Sequence, residues 1–380
     1  MKRSHKILFS ILLAAIVCRL ALPFVLRHNV NRFLQQRMEN YSGHIEDFSI
    51  SLLHGSYTLH GLRVWKKDRT EFDPLFTAEK MEVSILSHLL LEKKVMGSLT
   101  LTRPRLSLLD SVMPANQQFV EGQEWQDFVG KMMPIPIETL KVQQGILVFE
   151  NRDYKKQVQI VCDDISLSMI NIHNTEKVRK GYPGRLNFSA RVQREAWLRG
   201  LVQFDYYAER PSLFSKVDLS GLKLDRLNYI SILYGLYYFR SGEMNLHSQV
   251  YVNNGEVRGY LTPFFKNIDV IPIPWNNRVS KNILQDAVAS VGNLLLKNSN
   301  KNAQGRRYSF SGQMNPQENS WDEFWFVVRN GLKKPLQKNP LAQRKITHYE
   351  DHHLRRKHTR VSHRAEVKTA ISQVDYEQQE

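Results

Sequence analysis

Cysteine is nearly absent from this chain, with two in 380 residues. Cys18 lies inside an apolar N-terminal run and leaves Cys162 without an intramolecular partner, so no disulfide framework is on offer. The short motifs of hydrolytic and nucleotide chemistry are missing too. There is no Gly-x-Ser-x-Gly elbow, no glycine-rich phosphate loop and no His-Glu-x-x-His pair. Asp351-His352-His353 has the composition of a metal-binding triplet but stands in a charged tail, not at the end of a buried strand. His44, His54, His60 and His88 are scattered near turns and strands and read as surface histidines, not as a metal site. Asp163-Asp164 opens a strand run and reads as a turn cap, because an acid/base pair needs two separated environments. The expectation is a chain with no catalytic residues, no cofactor and no metal.

Acid is absent from the N-terminal end, and positive charge gathers at both ends. The net charge is +16, yet about seven positive charges precede Met38 with no acid among them, and a net of roughly eight more lies between Lys333 and Arg364. The middle is close to balanced. A nucleic-acid groove would place its charge in the folded body among aromatic platforms, so no nucleic-acid partner is expected.

What is present begins with a basic leader (1–6), followed by an apolar run over 7–26 that is long enough for an uncleaved membrane anchor. Small residues for a signal-peptidase cut are lacking around Arg19-Leu20-Ala21-Leu22-Pro23. Arg19 is the weak point of the anchor, at ~2.5–3.5 kcal/mol if it sat at the helix centre and less near an interface. The short leader stays inside more readily than the long polar body, which puts the body outside the cytoplasm. Over 27–41 the helix continues as a neck with Leu26, Val30, Phe33, Leu34 and Met38 on one face. Its arginines, Arg27, Arg32 and Arg37, are candidates for contact with lipid phosphates should the helix lie along a bilayer.

The body reads as strands. Period-two alternation recurs over 45–52, 57–64, 76–85, 95–109, 137–142, 145–149, 158–170, 185–192 and 197–206, and most clearly in the stretch from Phe214 to Pro263. There Met244, Leu246, Val250 and Val252 alternate with polar residues, Asn253-Asn254-Gly255 supplies a turn, and Val257, Gly259 and Leu261 resume the pattern. Pro104 marks a strand start or an edge. Helices are predicted at 224–239, 282–296 and 321–331, with a shorter one at 86–94 and another near Trp125, Phe128 and Met132 within the irregular stretch 111–136. Beyond 337 a basic, solvated tail runs to 380. About fifteen one-sided strands with few helices to cover them leave an apolar face that needs some other cover.

The anchor and the order of Leu53-His-Gly-Ser-Tyr-Thr-Leu-His-Gly-Leu-Arg-Val64, Gly97-Ser-Leu-Thr-Leu-Thr-Arg-Pro-Arg-Leu106, Leu140-Lys-Val-Gln-Gln-Gly-Ile-Leu-Val-Phe149, 222–228 and 242–263 resemble the AsmA-like envelope proteins of Gram-negative bacteria, in the branch known as domain of unknown function 748. The resemblance implies a mainly β chain with a few helices. In it an N-terminal transmembrane helix is followed by an elongated, mostly antiparallel, groove-like twisted sheet over 42–336 in the periplasm, anchored by a single pass in the inner membrane. It also implies a non-enzymatic function, binding or helping to transfer phospholipid along an apolar β-groove in support of outer-membrane integrity. The lining residues would be Ile146, Val148, Leu186, Phe188, Val192, Val202, Phe204, Val250, Val252, Val257 and Leu261. About fifteen strands span roughly 70 Å, which makes a second copy or an envelope protein a natural partner. The alternative is a scaffold in which the same faces pack on one another and the surface recruits other envelope proteins.

Overall fold

The computed structural model describes residues 21–38, 40–51, 55–85, 96–110, 137–151, 158–172, 182–205, 212–228, 231, 237–272 and 307–314. The chain is mainly β, with a mostly antiparallel sheet. It divides into two units, and the divisions after Leu147 and after Asp163 fall inside strands.

The first unit opens with a helix over 21–36, α1. The strands that follow are β1 (Tyr41–His44), β2 (Asp47–Ser51), β3 (Ser56–Lys66), β4 (Phe76–Ile85), β5 (Gly97–Thr102), β6 (Arg105–Asp110), β7 (Ile137–Asn151) and β8 (Val158–Ile170). The hydrogen-bonded order is β1-β3-β4-β5-β7-β8, with β2 also on β3 and β6 touching β4 and β7. Its β5–β7 pair is parallel, because the chain between the two strands makes a long return. Pro104 lies between β5 and β6, as its missing N–H requires, and its carbonyl accepts from Ile146 N at 2.7 Å.

The spacing of apolar residues in α1 explains its seat. Leu34 and Met38 are buried, and Leu26, Val30 and Phe33 pack against the same cluster, which includes Tyr41, Ile45, Leu62, Val64, Met81 and Val83. The side-chain amide of Asn31 acts as a strand surrogate: its oxygen accepts from Ile45 N at 2.8 Å and its nitrogen donates to Ile45 O at 3.1 Å. Among the described residues no helix is long and apolar enough to cross a membrane. The predicted anchor over 7–26 lies outside them except for 21–26, which are helical.

The second unit adds β9 (Gly184–Val192), β10 (Ala196–Phe204), β11 (Leu213–Lys223), β12 (Tyr237–Asn253), β13 (Glu256–Pro272) and β14 (Tyr308–Gln313), hydrogen-bonded in that order. All five pairings are antiparallel. The predicted turn closes β12 and β13: Asn254 and Gly255 take φ of 49° and 80° between the paired Asn253 and Glu256. Two consecutive left-handed residues suit the twist of a two-residue hairpin.

Three expectations are corrected here. The helix predicted over 224–239 is met only in part: Leu224–Leu227 form a 3-10 turn, Asn228 and Ser231 are helical and 229–230 and 232–236 lie outside the described residues, while Tyr237 to Phe239 belong to β12 and not to a helix. Tyr237, Tyr238 and Phe239 pair with Pro272, Ile271 and Val270 of β13 where the apolar pattern suggested helix, and the Asn228 amide bonds both Phe239 N and Phe239 O at 2.7 Å. Asp163-Asp164 sits in the middle of β8, not at its start. β14 was not anticipated at all, although Tyr308 and Phe310 alternate with Ser309 and Ser311. The helices expected at 86–94, 282–296 and 321–331, the stretch 111–136 and the tail 337–380 lie outside the described residues.

Glu195, in the turn between β9 and β10, is held by Lys223 at 2.9 Å and Arg226 at 2.7 Å. Hydrogen bonds from these two cations hold its carboxyl below the usual glutamate range. A depressed folded-state pKa contributes stability above the unfolded value, and that contribution is lost as pH falls through the folded one. The urea midpoint of the wild-type chain should therefore exceed that of Glu195→Gln at pH 7, with the gap closing as pH drops below roughly 4.3. A gap that stays constant down to pH 3 would contradict this.

Candidate functional site

The register of the second unit assembles one apolar sheet face. Gly184, Phe204, Leu213, Val252 and Val257 form one cross-strand row, and Leu186, Val202, Ser215, Val250, Gly259 and Phe310 form the next. A third row is Phe188, Gly200, Val217, Ser248, Leu261 and Tyr308, and a fourth is Ala190, Leu198, Leu219, Leu246 and Pro263. Directly paired residues point to the same side, so nine of the eleven predicted lining residues share this face. Ile146 and Val148 share a side of β7 by the same period-two logic.

Small residues sit where the face is widest. Gly200, Ser215, Ser248 and Gly259 leave its centre shallow, and three phenylalanine rings lie across neighbouring glycines. A Cβ placed on Gly200 would fall 2.2 Å from the Phe188 ring, one on Gly184 would fall 2.5 Å from Phe204, and one on Gly259 would fall 2.6 Å from Phe310. Each of these is a direct cross-strand pair. The rings therefore lie flat where a neighbouring side chain would have forced them upright.

The two ends of the face are closed. At one end Val250, Val252, Val257, Tyr308, Phe310 and Met314 form a buried cluster. Tyr182, ahead of β9, donates to Val252 O at 3.4 Å, reaching across the ends of β10 and β11. At the other end Ala196, Leu222, Leu224, Phe239 and Met244 are buried. Between them Leu186, Phe188, Leu198, Val202, Val217, Leu246 and Leu261 are only half-buried.

The predicted lining residues thus fall into two groups. Leu186, Phe188, Val192, Val202, Phe204, Leu261 and, on β7, Ile146 remain half-buried. Val148, Val250, Val252 and Val257 are at most 7% exposed, so protein already covers them. For the last three the cover includes Tyr308 and Phe310 of β14, the strand the alternation signal was too short to reveal. Of the predicted interface arginines, Arg32 and Arg37 are exposed and Arg27 is half-buried on α1, and Arg32 Nε donates to Gln36 Oε1 at 3.1 Å.

Two glycines of this face give a graded test. Ala at Gly259 would meet the Gln249 carbonyl at 2.7 Å as well as the Phe310 ring, whereas Ala at Gly200 meets only the Phe188 ring. Backbone cannot yield as a half-buried ring can, so Gly259→Ala should cost about 1–3 kcal/mol and Gly200→Ala less. Urea unfolding of the two variants checks the order, and equal costs would contradict it.

Among the described residues no group of three or more His, Cys, Asp or Glu side chains converges on a point. Of the four scattered histidines His44 and His60 are described; His60 contacts Ser49 Oγ at 3.3 Å, while His54, His88 and Asp351-His352-His353 lie outside the described residues. Burial, and then Asp163 beside it, pushes the Cys162 thiol up, so thiolate is scarce at neutral pH. The arrangement presents half-buried apolar side chains on one sheet face. No protein-family model matches the chain, and no curated protein is significantly similar to it.

Proposed function

We propose that this chain is a membrane-anchored envelope protein, similar to the AsmA-like proteins, that binds or passes phospholipid by shielding acyl chains on the apolar face of β9–β14. The observation that carries this reading is the cross-strand register: it aligns apolar residues of six strands on one side, paves its middle with small residues and flat rings, and leaves that middle half-buried on β9–β11 while Val250, Tyr308 and Phe310 are buried. Acyl chains suit such a surface because they gain from its apolar area and demand no directional partner. The N-terminal apolar run supports the anchor and a body on the periplasmic side of an inner membrane.

The test is photocrosslinking in the full chain, in vesicles, with p-benzoylphenylalanine replacing Phe188 or Leu261. The expected result is an adduct with phospholipid, reduced at least roughly tenfold by Val202→Asp, since a charge without a partner resists burial under acyl chains. Adducts with protein alone would overturn the reading in favour of a structural scaffold that recruits envelope proteins. The burial of Val250, Val252 and Val257 is the observation on that side.

A further inference from the structure

The other face of the same strands has a different character. Its rows are Arg191 and Trp197, then Ser189, Arg199, Asp218, His247 and Thr262, then Asn187, Leu201, Lys216, Gln249, Tyr260 and Ser309, then Arg185, Gln203, Phe214, Tyr251, Arg258 and Ser311. Asn245 and Phe264 pair beyond His247. Among the described residues of β9–β11 this face carries Arg185, Arg191, Arg199 and Lys216 against one acid, Asp218, which His247 engages. On β12 and β13 Glu256 is paired with Arg258 and Asp269 with Arg240, while Glu243 stands in register with Lys223 and Lys266. Arg307 lies over the Tyr260 ring at 3.9 Å.

Aromatic side chains are interleaved with these cations. Trp197 has the Arg191 and Arg199 guanidiniums over its ring at 4.9 and 5.3 Å, and it is 40% exposed. Tyr251 packs against Phe214 with ring centroids 4.8 Å apart and tilted planes and is 47% exposed, and Phe264 is 38% exposed. Within the second unit, all the large hydrophobic side chains found exposed among the described residues lie on this one face. Trp197 and Phe264 are three strands apart, ~14 Å, and Tyr251 lies about 20 Å along the strands from Phe264.

We propose that this outer face of β9–β14 docks on the surface of an anionic phospholipid bilayer. The excess of cations answers lipid phosphate and anionic headgroups, and exposed Trp and Tyr with wet edges suit the depth where headgroups meet acyl chains. A folded acidic protein is the poorer fit, because protein hot spots gather their aromatic anchors in one pocket. These three are spread over one sheet face instead, which a laterally extended and fluid partner can meet at separate points. The inference does not depend on acyl binding at the opposite face.

The experiment uses the full chain with Tyr251→p-benzoylphenylalanine in vesicles of phosphatidylcholine alone or of phosphatidylcholine and phosphatidylglycerol in equal parts. The expected result is a lipid adduct that rises with phosphatidylglycerol and falls in high salt. Neutralising cations on this face should weaken it roughly fivefold each, on the order of 100-fold for Arg185→Gln with Arg199→Gln and Lys216→Gln. The leader and tail keep their charge in that variant, so a loss is assigned to the face. A charge-conserving variant, Arg185→Lys with Arg199→Lys and Lys216→Arg, should retain the adduct, and unchanged melting of both variants separates docking from folding. Equal adducts in the two vesicle types, indifference to the neutralising variant, or adducts to protein instead of lipid would each overturn the proposal. A probe at Phe188 reads the apolar face separately, so failure there and failure here are told apart.

Discussion

Tyr308→Ala is expected to destabilise the second unit by about 3–5 kcal/mol. Tyr308 is 2% exposed and is the largest of the fully buried side chains. It comes from β14, a strand of six residues whose recorded pairing is with β13. With Phe310 it covers Val250, Val252 and Val257, so removing the ring leaves a cavity bounded by stiff β-branched side chains and paired backbone that cannot collapse into it. The short strand should then detach in preference to the long β12–β13 hairpin. Urea denaturation would report the loss, and limited proteolysis should cut near 308 in the variant before it cuts the hairpin. A change below 1 kcal/mol would mean that β14 is an ornament and that the valines are covered by something else.

Leu34→Ala should cost about 2–5 kcal/mol in the first unit. Leu34 is fully buried in the cluster that joins α1 to β1, β3 and β4, and its removal leaves Met38, Phe33 and Val30 to hold the helix. A second bond type can be separated from this packing. Asn31→Ala removes both amide bonds to Ile45 and should cost about 1–3 kcal/mol through the polar groups left without partners. If the helix is seated by its apolar stripe, Leu34→Ala is the worse of the two. Hydrogen exchange of the 21–36 amides, measured alongside unfolding, should accelerate in both variants. Loss of stability without faster exchange would place the damage in the strands.

How much of this was legible beforehand depends on the range of the interaction concerned. The α1 stripe, the alternation of β9 and β10 and the Asn254-Gly255 turn are local patterns, each complete within a few residues, and the chain states them directly. The face of the second unit is half local. Alternation says that Leu186, Phe188 and Val202 lie on a dry side, but not that Phe188 is opposite Gly200 or Phe204 opposite Gly184. That pairing follows from the three-residue turn Gln193-Arg194-Glu195, in which Gln193 and Arg194 take positive φ without being glycine, a choice no composition rule selects. β14 escaped notice because three alternating pairs between polar stretches are too short to stand out, and only its neighbours make it a strand. The overlong end of the 224–239 helix has the same origin: an apolar aromatic run suits helix or buried strand equally, and pairing with β13 makes Tyr237 to Phe239 strand.

By itself, then, the amino-acid order determined that the chain is mainly β, where its long hairpin turns, and which side of each strand avoids water, because those properties depend on neighbours within a turn of backbone. Only the tertiary structure decided which dry side chains are covered and which stay half-buried, and that cations and aromatics of five separate strands meet on the opposite face. Those outcomes rest on register between segments tens of residues apart, where a shift of one position reverses every side chain.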